Sequence, residues 1–340
     1  MKILALIPES NKKSPARIYR GDGVLERLNS WTYETETRKT RPDLEIDYFT
    51  DEHMRWDWAR WMKASKEYDW LFVMRSAHLE HLNPASMAKT FGIKIWWDLD
   101  DDYTAVEPDN TAYMAFKKDE TKTAWQWFVK NADLLTMSTK PLQDKFGGEL
   151  CPNALDDLVY PMDIEYPGPN EKLITWRGGG SHFQDLQHFT EPINKFLENR
   201  PGMTIHFMGF YAWWLSNHKN AIFTEYIPDY WYYMQVLRQQ KPWGHIAPLR
   251  DCAFNQGKSC IAGLESVYAG ACPIVPNWVE WGFPAALKYN TPEEFSTQLQ
   301  LLCEMSKDEH KERWTANMAW IKENRVLSVV NKKRMELLCR

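Results

Sequence analysis

The chain has 340 residues, 44% of them hydrophobic, and carries a formal net charge of −5. That length suits two domains of ordinary size, and the hydrophobic share is enough to bury a core in each, which excludes a disordered chain. The charge excludes a uniformly basic nucleic-acid binder, although a local basic groove is compatible with it.

Six cysteines, Cys151, Cys252, Cys260, Cys272, Cys303 and Cys339, form no C-x-x-C pair and no regular metal spacing. This is the usage of reduced thiols in a cytoplasmic protein, and no zinc site is expected. The opening MKILALIPES has only five consecutive apolar residues before Pro8, too few for a signal-peptide core or a membrane span, so no integral membrane segment is expected there.

Residues 3–7 instead read as a first strand, followed by a polar loop, ESNKKSPARIYRGDG, and a helix over 24–28. In an α/β unit such a loop faces the ligand side. Residues 44–49 alternate as a strand does, 56–68 form a tryptophan-rich helix, and 70–74 are a fully apolar central strand with Arg75 and His78 just past its end. The next strand, 93–97, runs into Asp98, Asp100, Asp101 and Asp102. Carboxylates packed this closely repel one another unless cations or donors compensate them. Asp100 and Asp101 are therefore read as contacts for an acceptor or a divalent metal, against a plainer reading as a helix cap and a solvated acidic turn. A helix over 123–131 and a strand over 132–139 follow, and the proline-rich run 161–169 reads as an interdomain linker.

The β pattern restarts at 173–176 and leads directly into Arg177, Gly178, Gly179, Gly180, Ser181 and His182. The glycines let backbone approach a ligand closely. A helix is expected over 183–199 and a strand over 203–208, ending at Gly209 and Phe210, with Tyr211, Trp213 and Trp214 beyond it as rings that stack on a base or fill core. After a helix over 230–239 comes WGHIAPLRDCAFNQGKSCIAGLESVYAGACPIV, which reads as strand, loop, helix, strand. The helix opens at Ser259, places Ile261, Leu264, Val267 and Tyr268 on one face, and closes at Gly270. Its positive end beside Lys258 and Ser259 suits a diphosphate, with Glu265 two turns on within reach of sugar hydroxyls. Helices over 292–305 and 311–338 complete the chain.

This second half resembles the nucleotide-binding half of the retaining glycosyltransferases of the GT-B fold, in the family-4-like group. The wording FNQGKSCIAGLESVYAG is most similar to a subgroup found in tailed phages and bacteria. The resemblance implies two Rossmann-like, doubly wound α/β domains facing across a cleft. Residues 1–160 would form the acceptor side, 161–310 the nucleotide-sugar side, and 311–340 a helix packing back on the first domain.

It further implies that Arg177, Lys258 and the amide at Ser259 stabilise the leaving diphosphate, where charge develops. Glu265 would hold the donor ribose, and Gly178, Gly179, Gly209, Phe210 and Asn255 would line the donor site. Arg17, Tyr19 and Arg20 match the first-loop motif that meets donor phosphate or acceptor. One departure stands at Gly257, eight residues before Glu265, where the better-known E-x7-E version has a glutamate. The implied enzyme is retaining and needs neither metal nor cofactor beyond its nucleotide-sugar co-substrate, since D-x-D metal motifs belong chiefly to the GT-A architecture. The acceptor hydroxyl would be that of a hydroxymethylated pyrimidine in phage DNA, placing the protein in a host cytoplasm, or that of a surface glycan. A non-catalytic nucleotide-sugar-binding module is the reading from outside enzymes. A nucleotide-sugar epimerase would need G-x-G-x-x-G after the first strand, where Pro8, Glu9 and Ser10 stand.

Overall fold

The computed structural model of the chain describes residues 1–29, 43–75, 78–111 and 113–340. Apolar runs make the centre of each half. In the first, β1 (Lys2–Leu6), β2 (Glu45–Tyr48), β3 (Trp70–Met74), β4 (Lys94–Leu99), β5 (Leu134–Met137) and β6 (Glu149–Leu150) form a parallel sheet in the order β2-β1-β3-β4-β5-β6. Alternate residues of one strand serve opposite faces, as the pleat requires. Ile3 and Ala5 pack toward Val24, Leu25 and Leu28, whereas Leu4 and Leu6 pack toward Trp61, Ala85 and Phe128.

The second sheet contains β7 (Asn170–Arg177), β8 (Thr204–Met208), β9 (Ala221–Thr224), β10 (Pro242–Ile246), β11 (Cys272–Pro276) and β12 (Leu287–Tyr289) in the order β12-β11-β10-β7-β8-β9, again parallel. This is the doubly wound order of a dinucleotide-binding fold. Strand order reverses between β1 and β3 in one sheet and between β7 and β10 in the other, and ligands gather at the carboxyl ends of strands flanking such reversals.

Three local expectations are corrected. The polar loop after β1 holds a helix, Pro15–Arg20, because Ser14 caps it by accepting from the Arg17 amide at 3.3 Å and Pro15 fits its first turn. The single helix over 183–199 is two, Phe183–His188 and Thr190–Asn199, parted at Phe189. The helix of the glycine-containing loop starts at Ile261 with Cys260 as its cap, so Ser259 stays in the loop.

The last helix, Leu327–Leu338, packs on the first domain, where Leu327, Val330, Leu337 and Leu338 share a core with Val24, Leu25 and Leu28. The Asn331 side-chain amide donates to the Val24 carbonyl at 3.0 Å. Among the described residues no helix is long and apolar enough to cross a membrane.

Candidate functional site

The carboxyl ends of β1, β3 and β4 face those of β7 and β10 across a cleft of about 390 Å3, whose walls include Glu9, Tyr19, Arg75, Asp100, Asp101, Arg177, His182, Lys258 and Ser259. A larger hollow of about 470 Å3 lies on the first domain among Tyr103, Phe116 and Trp125, with two lysines and no carboxylate in its walls. Converging charge, not size, marks the cleft as the site.

On the second-domain side, Arg177 ends β7 and Lys258 precedes the Ile261–Tyr268 helix, whose first-turn residues Ile261 and Ala262 also line the cleft. The Lys258 ammonium lies 4.4 Å from the centre of the Phe254 ring and 3.8 Å from an Asp101 oxygen on the opposite domain. Ser259 Oγ accepts from the Asn153 amide of the first domain at 2.8 Å. At the departure from the E-x7-E pattern, a Cβ built on Gly257 would stand 3.6 Å from both Asp102 Cβ and Leu142 Cδ2, so this position abuts the first domain. Thr139 Oγ1 donates to the Gly257 carbonyl there at 3.0 Å.

Glu265 lies behind the cleft wall and is fully buried. Its Oε1 accepts from the Tyr19 hydroxyl at 2.9 Å, while Oε2 accepts from Tyr233 at 3.2 Å and lies 2.8 Å from Arg177 Nη2. Burial pushes its pKa up, and Arg177 with the two tyrosines opposes that shift. An exposed helix position is thereby excluded.

On the first-domain side the acidic run is divided among separate cations. Asp98 is paired with Arg20, Asp100 lies 3.0 Å from Arg75, Asp101 faces Lys258, and Asp102 takes Lys145 at 2.6 Å. Burial pushes Asp100 up to about 6, with the Arg75 charge opposing and the Asp101 charge adding. Arg75 itself sits at φ 55, a left-handed conformation that costs energy in a residue with a side chain. Its amide donates to the Asp98 carbonyl at 2.8 Å, and Nε and Nη2 both reach the Tyr103 hydroxyl, at 3.0 and 2.8 Å.

Two of the residues expected at the donor site, Arg20 and Asn255, are engaged by partners within the protein. Arg20 lines the cleft but is almost fully buried, its guanidinium engaged by both Asp98 oxygens at 2.6 Å and by the Cys151 carbonyl at 2.6 Å. Asn255 is also buried, with its side-chain amide donating to Asp185 at 2.7 Å and to the Arg250 carbonyl at 2.9 Å. Of the glycine positions, Gly209 has φ +102 and a Cβ there would stand 2.5 Å from the Gly178 carbonyl, so these two backbones meet at the ends of β7 and β8. Gly179 has open space around it. Phe210 is half-buried against Phe183 and Trp214, while Tyr211 and Trp213 are exposed.

Several groups of the site escape a sequence reading. Asp185 is buried, holds His182 Nδ1 at 2.8 Å and accepts the Arg250 amide at 3.1 Å. Arg250 in turn reaches across to Glu107 at 2.5 Å and Asp109 at 3.0 Å on the first domain. His245 is buried beside Thr175, and burial with the Arg177 charge pushes it down to about 3, so it is neutral. Hydrophilic spacing after a strand end is the one signal that could have pointed to Asp185; the partners of the others lie too far along the chain.

Compared by sequence, the chain matches no protein-family model and no curated protein. Compared by structure, it is similar over its whole length to an alpha-glucosyltransferase in complex with UDP and a 13-mer DNA containing a central A:G mismatch, with a TM-score of 0.65, 9% identity, and coverage of 100% of this chain and 99% of that one. An alpha-glucosyltransferase in complex with UDP and DNA containing a HMU base gives 0.59 at 9% identity, covering 100% of both chains. The pneumococcal O-GlcNAc transferase GtfA in complex with UDP and GlcNAc gives 0.54 at 11% identity, over 82% of this chain and 58% of that one. Two parallel six-stranded sheets, facing each other at their points of reversal and matched end to end by such enzymes, identify the fold of this chain as GT-B.

Proposed function

We propose that the protein is a glycosyltransferase that moves a sugar from a UDP-type nucleotide sugar to the hydroxyl of a hydroxymethylated pyrimidine in DNA, with retention and without a metal ion. The observation that carries this reading is the convergence of Arg177, Lys258 and the start of the Ile261–Tyr268 helix on one cleft, opposite Asp100 and Asp101. Fixed cations and a helix N-terminus are what a leaving diphosphate requires. The bond from the anomeric carbon to the diphosphate oxygen breaks, the acceptor oxygen bonds to that carbon on the same face, and the acceptor proton passes to the released phosphate oxygen. Asp100 and Asp101 orient the acceptor hydroxyl, and Glu265 orients the donor through its ribose. Support for DNA as acceptor comes from two of the structures matched end to end, both of which hold UDP and DNA; the O-GlcNAc transferase is matched over 58% of its length.

The test is incubation with a panel of UDP-sugars and a duplex carrying hydroxymethylated pyrimidines, followed by mass spectrometry of the DNA. The expected product is DNA heavier by one sugar residue, with the anomeric configuration of the donor kept. UDP-sugar hydrolysis without DNA product would move the acceptor to a glycan, and UDP binding without any turnover would leave a binding module.

A further inference from the structure

We propose that Tyr19, supplied by the first domain, is a positioning residue of the donor site that competes with the donor ribose for Glu265, and so ties nucleotide binding to an opening of the seam between the two domains. The inference rests on the donor-site reading above. Its basis is the way the Glu265 carboxylate is shared. Among the described residues, two of its three partners, Tyr233 and Arg177, belong to its own domain, and Tyr19 is the one that reaches it from the other. Tyr19 lines the cleft and Glu265 does not, so the phenol stands between the carboxylate and any ligand.

A ribose hydroxyl that is to reach Glu265 has to replace one of these donors. Arg177 is the counter-ion of the buried carboxylate at 2.8 Å and the Tyr233 contact stays within one domain, which leaves the Tyr19 hydroxyl as the one to be exchanged. Tyr19 does not leave by itself. Its helix is held by the Ser14 cap, by Arg17 on Asp22 and by Arg20 on Asp98, so the residue moves with the first domain. The same seam carries Lys13 on Asp229 at 2.6 Å, the Asn11 side-chain amide on the Pro228 carbonyl at 3.0 Å, and the Tyr19 hydroxyl 2.7 Å from that of Tyr230. Exchange of Tyr19 for ribose is therefore an opening of this edge of the cleft.

Tyr19→Phe keeps the ring and removes the competing hydroxyl. Titration calorimetry with UDP and with 2′,3′-dideoxy-UDP separates the possibilities. In Tyr19→Phe, UDP is expected to bind about tenfold more tightly, the lower end of the scale for a hydrogen bond to a charged group, while the dideoxy form is unchanged. A purely structural role for Tyr19 would weaken both ligands together. Unchanged or weaker UDP binding in Tyr19→Phe, with Glu265→Gln still weakening UDP relative to the dideoxy form, overturns the inference and keeps the donor site. Equal binding of the two ligands to the parent, with no effect of Glu265→Gln, overturns the donor-site reading and the inference with it. If Tyr19→Phe does not fold, Lys13→Ala carries the test: it loosens the same seam without touching Glu265 and is expected to tighten UDP by a smaller factor. Weaker or equal UDP binding in Lys13→Ala then overturns the inference.

Discussion

Arg20 and Asp98 meet in a two-toothed pair inside the first domain, with Nε and Nη2 each 2.6 Å from a carboxylate oxygen and both side chains out of water. The pair joins the first helix to β4, and Thr136 Oγ1 adds a third donor to the same carboxylate at 2.5 Å. Removing one partner would leave the other charged and buried. Arg20→Ala is expected to lose about 3–5 kcal/mol of folding stability, read as a lower urea midpoint. A loss within that of an ordinary surface substitution would contradict the packing described.

Lys258→Ala and Arg177→Ala should each weaken UDP binding by roughly 1.5–3 kcal/mol, since each takes a cation from a charge-assisted contact. The two should differ in stability. Arg177→Ala leaves Glu265 buried without its counter-ion, whereas the Lys258 ion pair with Asp101 is loose at 3.8 Å and removing it strands no buried charge. Calorimetry for binding and thermal melts for stability read the two effects apart, and equal melts for the two variants would count against the buried pair.

Turnover is expected to survive a chelator. Asp100, Asp101 and Asp102 each face a different cation and are held by different contacts, a geometry unlike three ligands aimed at one ion. Loss of activity in chelator, restored by magnesium or manganese, would refute this.

Asp100 sets a pH window. Its native pKa of about 6 lies above the ordinary carboxyl value of 3.8, so the folded state holds the proton more tightly than the unfolded one. Stability from this group is therefore greatest at low pH, falls as pH rises from about 4 to about 6, and is flat above. Activity should move the other way, with kcat/KM rising through the same window as the carboxylate forms. Asp100→Asn should abolish that rising limb; its persistence would assign the limb to another group.

Strand centres were legible because short apolar runs bounded by proline or acidic residues have few alternatives, as in 70–74 and 93–97. The Pro15–Arg20 helix was hidden by its polar composition, although Ser14 before Pro15 is a start signal that was there to read. Side-chain roles were less legible than positions. Arg20 and Asn255 stand in the expected segments, but their partners, Asp98 and Asp185, lie 78 and 70 residues away, and spacing along one element says nothing of such pairings. The same distance hid Tyr19 on Glu265, 246 residues apart. Lys258 and Arg177 were reachable because each adjoins a strand end or a helix start in its own unit, where chain order already sets location.

The last helix carries a consequence for biosynthesis. Leu327, Val330, Leu337 and Leu338 close a core whose other members, Ile3, Val24 and Leu25 among them, all precede them in the chain and leave the ribosome earlier, and Lys333 donates to the Leu150 carbonyl at 2.9 Å on the same flank. Domains generally fold in the order they are made. Here the first domain keeps an apolar flank uncovered until residue 338 has been translated, so it is the second domain that reaches its full set of contacts first. A nascent chain stalled before residue 327 should accordingly bind a hydrophobic dye or a chaperone through the first domain, and release it once the remaining residues emerge.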